Sequence, residues 1–249
     1  MRILQNIRLE DFIFFDIETA PLTENLAELP EELQKLWIEK EGKAMARESE
    51  QSGEPVDPQH WYFNKAGLMA EYGRVVCIAV GFFHRGNDGL TFRVKTIGYP
   101  DEELVLEDFA NLLDARFADL GRFRLCGHNI KNFDVPFLAR RMLVNGVKLP
   151  AMLDTAGLKP WEMPYMDTME LWRFGDFRHY SSLKLLTAMF GIPTPKDDIS
   201  GSDVGRVFWQ DADLDRICEY CAKDVVAVGR LIQRWKGEKF VDDDQVKIV

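Results

Sequence analysis

The stretch FFDIETA, residues 14–20, sets two acids, Asp16 and Glu18, at the end of a run of bulky apolar residues. In an extended strand successive side chains alternate faces. Phe12, Phe14, Asp16 and Glu18 therefore share one side, while Ile13, Phe15 and Ile17 take the other. Two neighbouring carboxylates repel each other and resist burial. A strand that ends this way needs a compensating partner from elsewhere in the chain.

The 249 residues suit one α/β domain, and 46% hydrophobic residues supply a large core. The longest apolar run, VVCIAVGFF at 75–83, fits a buried strand and falls well short of the ~20 residues of a membrane span. MRILQNIRLEDF at the start lacks the pattern of an export signal, so the reading is a cytoplasmic protein with reduced cysteines. Cys218 and Cys221 have the spacing of half a zinc site. With Cys77 and Cys126 isolated in strand-like runs, the pair reads as two small apolar residues on a helix. The net charge of −10 is unlike a typical nucleic-acid binder. Residues 122–148, however, carry Arg122, Arg124, Lys131, Arg140, Arg141 and Lys148 against Asp134 alone, which permits contact with a polyanion.

Around the first strand (12–18) the pattern is a hairpin through HRGNDG, a helix over 101–117, a strand at 123–127 and a helix over 133–145 stopped by Gly146. A short strand end at 166–169, a capped helix from Ser181 to Gly191 and a long helix over about 212–236 follow. Residues 22–72 read as a helical and looped insertion within the one domain 1–249, with a helix that Pro30 can open and a polar, proline-punctuated loop at 49–58. Residues 237–249 read as an acidic tail. Three strands followed by alternating helices and strands predict a mixed sheet flanked by helices.

Two further places put acids where packing does not ask for them. Asp134 follows Phe133 at a helix start, where the ordinary explanation is the helix dipole. Tyr220 and Asp224 lie four apart and project from one helix face, as on any amphipathic surface. Together with Asp16 and Glu18, these motifs resemble those of the DEDD exonuclease superfamily over residues 10 to 236. D-x-E is matched by Asp16 and Glu18, N-x-x-x-F/Y-D by Asn129, Phe133 and Asp134, and Y-x-x-x-D by Tyr220 and Asp224. Glu219 stands where a sister subclass has histidine. The chain thus resembles the tyrosine subclass, as in the proofreading domain of family B DNA polymerases, and its stretches SLKLLTAMFGIP and ISGSDVGRVFW are similar to stand-alone bacterial members.

The resemblance implies a ribonuclease-H-like fold with a five-stranded mixed sheet. It also implies a 3'-5' exonuclease without an attached polymerase, acting on single-stranded 3' ends of DNA more readily than RNA. An exoribonuclease and a silent nucleic-acid-binding module are the alternatives. Four gathered carboxylates call for counterions, and all-oxygen ligation favours two Mg²⁺ or Mn²⁺ ions. By resemblance Asp16 bridges the ions, Glu18 and Asp224 hold one, Asp134 acts on the other, and Tyr220 orients the attacking water. Thr19, Asn129 and Phe133 are implied in binding the terminal nucleotide. His128 and His179 read as structural, and Trp161 and Trp172 as core or surface-anchor aromatics.

Overall fold

The structure, a computed structural model, describes residues 1–87, 89–176, 178–193 and 199–249. After a single helical turn, α1 (Arg2–Gln5), comes β1 (Phe12–Pro21). Two helices, α2 (Glu31–Ser52) and α3 (Pro58–Lys65), precede the hairpin of β2 (Gly73–Gly86) and β3 (Gly89–Gly98). Next are α4 (Glu102–Arg116), β4 (Arg124–Gly127), α5 (Asp134–Val144), β5 (Met166–Asp167), α6 (Thr168–Arg173) and α7 (Leu183–Phe190). The chain finishes with α8 (Val204–Arg206), α9 (Leu214–Lys236) and β6 (Val246–Ile248).

Helix boundaries follow local chemistry. Asp101 caps α4 by accepting from the Glu103 N–H at 3.0 Å, Ser182 caps α7 through Leu185, and Asp213 caps α9 through Arg216. Pro58 occupies the first turn of α3, where its missing N–H costs nothing. The polar loop expected over 49–58 is shorter than that, because α2 runs on to Ser52 before Gly53 turns the chain at φ 77°. Asp88 of the hairpin connector lies outside the described residues.

The sheet has the order β5-β4-β1-β2-β3-β6, with β1/β2 and β2/β3 antiparallel and the other pairs parallel. It is mixed and flanked by helices as expected, but among the described residues has six strands where five were anticipated. The sixth, β6, comes from the segment read as an acidic tail. Three residues are too few to show an alternating pattern, and Val246–Ile248 becomes a strand only by pairing with Phe92–Val94.

The alternation read along β1 is realised. Ile13, Phe15 and Ile17 pack with Val105, Leu106 and Phe109 of α4 and Leu138 and Met142 of α5. Phe12 and Phe14 face the other way, into a layer with Val225, Val228 and Ile232 of α9. A Cβ on Gly81 would lie 2.6 Å from both Phe92 and Val225, so glycine there lets α9 lie close on the sheet. The far end of α9 is fastened to both ends of the chain. Lys236 Nζ donates to the Leu4 and Ile7 carbonyls at 2.9 Å each, and buried Arg230 reaches the Val241 carbonyl and the Asp243 carboxylate.

Residues 22–72 build their own small cluster, with Trp37 edge-on to Tyr62 and Tyr72. The cluster is pinned to the end of β1 by the Thr19 hydroxyl, which donates to the Gly67 carbonyl at 2.7 Å, and by the Leu22 N–H to Tyr72. Among the described residues no helix is long and apolar enough to cross a membrane.

Candidate active site

β4 runs parallel to β1 only as far as the pairing of Cys126 with Phe14. At Gly127, still paired with Asp167 of β5, the chain parts from β1, which continues past it. The divergence of two parallel strands opens a crevice at their carboxyl ends, where ligand sites in α/β sheets usually form. Gly127 is required there, since a Cβ would press against the Phe15 carbonyl and the Ile130 side chain.

The Ile17 N–H, which no longer has a β4 carbonyl to meet, donates to Asp134 Oδ1 at 3.2 Å. Asp134, the first residue of α5, is thereby drawn under the carboxyl end of β1 and is buried, at 3% exposure. On the other face of β1, Glu18 and Asp16 stand opposite Cys77 and Ala79 of β2, in the layer covered by α9. The register slips between Glu18 and Thr19, a bulge at the acidic motif itself. From α9, Cys221 approaches within 3.4 Å of the Asp16 carbonyl and 3.6 Å of its Oδ2. Asp224, one turn further along α9 and half-buried, completes the set.

The four acids interact electrically. Burial, then the charges of Asp134, Glu18 and Asp224, hold the Asp16 carboxyl well above the usual carboxylate range. Burial and the charges of Asp224 and Asp134 do the same to Glu18. Burial pushes Asp134 up to about 7, against the pull of the N–H groups of Asp134 and Ile17. Glu18 is 7% exposed and, among the described residues, meets neither a cation nor a hydrogen-bond donor. A buried carboxylate in that condition is costly unless an ion serves it. The all-oxygen donor set fits a hard divalent cation such as Mg²⁺ or Mn²⁺.

The remaining expected residues sit around this cluster. Tyr220 is half-buried on α9, four residues before Asp224, against the second core layer. The Thr19 hydroxyl is committed to Gly67. Asn129 takes a left-handed conformation at φ 67°, and its side-chain oxygen accepts from Asn132. Phe133 leans on Phe137, with ring centroids 5.4 Å apart, and only part of it is covered. His128 bridges Thr168 and the Ser181 carbonyl, and exposed His179 pairs with Asp176. Trp172 stacks on Trp235, whereas Trp161 lies on the surface beneath Lys159. Much of the basic 122–148 segment is used internally. Arg122 pairs with Asp11, Arg124 caps backbone carbonyls, Lys131 pairs with Glu170 and buried Arg141 with Glu102, leaving Arg140 and Lys148 on the surface.

Asp167 escaped the sequence reading. Buried at 1% exposure, its carboxylate accepts from the N–H groups of Asn129, Lys131, Met169 and Glu170. It thus shapes the whole loop from His128 to Phe133 that delivers Asp134. Its only sequence signal was an acid at the N-cap of a short helix, which is common.

A solved structure that this chain resembles is the family B DNA polymerase from the hyperthermophilic archaeon Pyrobaculum calidifontis. The TM-score is 0.51 at 16% identity, over 90% of this chain and 24% of the polymerase. The chain thus spans about a quarter of that protein, and the likeness shows its fold, a mixed α/β sheet of ribonuclease-H-like type. No curated protein matches the sequence. The chain belongs to the family of predicted 3'-5' exonucleases related to the exonuclease domain of PolB, whose model matches residues 68–232. That match takes in Asn129, Phe133, Asp134, Tyr220 and Asp224, and begins after Asp16 and Glu18.

Proposed function

We propose that this chain is a divalent-metal-dependent 3'-5' exonuclease of the tyrosine subclass, working on single-stranded 3' ends of DNA in preference to RNA. The observation that carries the reading is the gathering of Asp16, Glu18, Asp134 and Asp224, from two strand positions and two helices, around carboxyls that burial and mutual repulsion hold partly protonated. A silent binding module has no use for that arrangement.

Asp16, Glu18, Asp134 and Asp224 would hold two Mg²⁺ or Mn²⁺ ions. Bound there, the cations would offset the carboxylate charge, promote ionisation of water and stabilise the in-line displacement at phosphorus. Tyr220 offers a phenol hydroxyl, a poor general base, and serves to orient the attacking water. Thr19, having donated its proton to Gly67, keeps an oxygen that accepts from a terminal 3' hydroxyl. The half-covered ring of Phe133 offers a stacking face to an unpaired base, a contact indifferent to sequence. Asn129, held in its left-handed turn by Asp167, presents its amide to the same nucleotide. DNA is favoured because the similar structure and the family description both concern a DNA polymerase.

The test is incubation of the purified protein with matched DNA and RNA oligonucleotides, labelled at either end, in Mn²⁺ and in EDTA. Stepwise, metal-dependent shortening from the 3' end is expected, faster on DNA. Internal cleavage or no loss defeats the nuclease reading, and faster loss of RNA transfers it to an exoribonuclease.

A further inference from the structure

Cys218 and Cys221 look like half of a metal site whose other half is absent, but folding changes their company. Cys77 is the cross-strand partner of Glu18, and its thiol interacts with those of Cys218 and Cys221. Cys221 in turn points at the carboxylates: one ligand atom each from Asp16, Glu18 and Cys221 lie within 4.8 Å of one another. The cysteine is fully buried, and Asp16 beside it is half-buried.

We propose that Cys221, Asp16 and Glu18 form a site for a thiophilic divalent cation, Zn²⁺ or Cd²⁺, that overlaps the acidic cluster and excludes Mg²⁺ and Mn²⁺ from it. The separation of 3.6 Å between Cys221 Sγ and Asp16 Oδ2 is that of a tetrahedral edge. Bonds of ~2.3 Å to sulfur and ~2.1 Å to oxygen subtend about 3.6 Å at the tetrahedral angle. Glu18, buried without a hydrogen bond or ion pair among the described residues, supplies the third donor at almost no cost in side-chain freedom. Water fills the fourth position. Hard cations ignore the sulfur, so Cys221 adds affinity only for soft ones, and divalent affinities already rise from Mn²⁺ to Zn²⁺.

Without a cation the Cys221 sulfur is a free, buried thiol. On binding, the S–H bond breaks, the S–metal bond forms and the proton passes to water, so one more proton is released than by the carboxylates alone. The binding stands apart from the hydrolytic reading, whereas its consequence, inhibition of turnover by zinc, rests on that reading.

The metal-free protein is titrated with Cd²⁺ while thiolate-to-metal absorption in the ultraviolet is followed. Wild type should develop the band with one Cd²⁺ per chain. Cys221→Ser should lose it, and Glu18→Gln should keep the band but bind at least tenfold more weakly. Cys126→Ala, which removes a buried thiol outside the three-ligand set, should behave as wild type. If Cys221→Ser proves unfolded by circular dichroism, the Glu18→Gln titration decides alone. A band that survives Cys221→Ser, no band in wild type, or a Glu18→Gln affinity equal to wild type overturns the proposal. In the Mn²⁺-supported nuclease assay Zn²⁺ should inhibit wild type at tenfold lower concentration than Cys221→Ser. Absence of any nuclease activity would leave the Cd²⁺ result standing and bear only on the hydrolytic reading.

Discussion

The Ile17 N–H donates to Asp134 Oδ1 across 3.2 Å, joining the middle of the D-x-E motif to an acid 117 residues later. The bond exists because β4 stops short and leaves that N–H without a strand partner. It places Asp134 at the site before any ion arrives.

The first prediction concerns pH. In the folded, metal-free protein Asp134 sits at about 7, whereas in the unfolded chain it titrates near ~3.9. Between those values the folded state binds more protons, so this carboxyl makes stability fall as pH rises from about 4 to about 7. Asp134→Asn, whose amide oxygen still accepts from Ile17, removes that slope. Denaturant unfolding in EDTA across pH 4–8 should show the variant gaining on wild type over that interval, and parallel curves would show that Asp134 titrates normally.

Asp16→Ala removes the acid that the other three all repel. Turnover should drop by ~10³-fold or more, the scale of losing a key electrostatic group in an active site. The metal-free melting temperature should rise, and the upward shift produced by Mn²⁺ should shrink. A variant that melts lower than wild type would make Asp16 a structural residue.

Asp167→Ala strips the acceptor from four backbone N–H groups at once. Hydrogen bonds to a charged group contribute about 1.5–3 kcal/mol each, and solvent and rearrangement recover part of the loss. A destabilisation of at least about 2 kcal/mol is expected from the denaturant midpoint, with weaker Mn²⁺ binding because Asp134 loses its mooring. Unchanged metal affinity would separate the loop from the site.

Tyr220→Phe deletes one hydroxyl and leaves the ring's packing intact. Nuclease kcat should fall about 10–100-fold, with Mn²⁺ affinity within about twofold of wild type. Equal loss of both would make the hydroxyl part of metal binding.

The sequence exposes this site where chemistry conflicts with packing, and hides it where the partners are backbone or distant in the chain. Asp16 and Glu18 stood out because strand alternation put charge on a core face. Helices α4, α5, α7 and α9 were visible from periodicity and caps. β6 was not, since a three-residue strand has no period and depends on β3. Nor was the internal use of Arg122, Lys131 and Arg141, whose partners Asp11, Glu170 and Glu102 come from other segments. A run of basic residues thus suggested a polyanion surface that folding largely neutralises. Cys77 looked isolated for the same reason: its closeness to Cys221 is a property of α9 lying across β2.

Helix α9 carries Tyr220 and Asp224 in its first half and is tied by Lys236 and Arg230 to segments near the two ends of the sequence. Lys236 lies about 18 Å beyond Asp224 at ~1.5 Å of rise per residue. The helix therefore works as a lever with both chain ends tethered to its handle. Trimming the first eight residues or the last nine, or fusing a bulky tag there, should lower the nuclease rate without touching any of the proposed site residues.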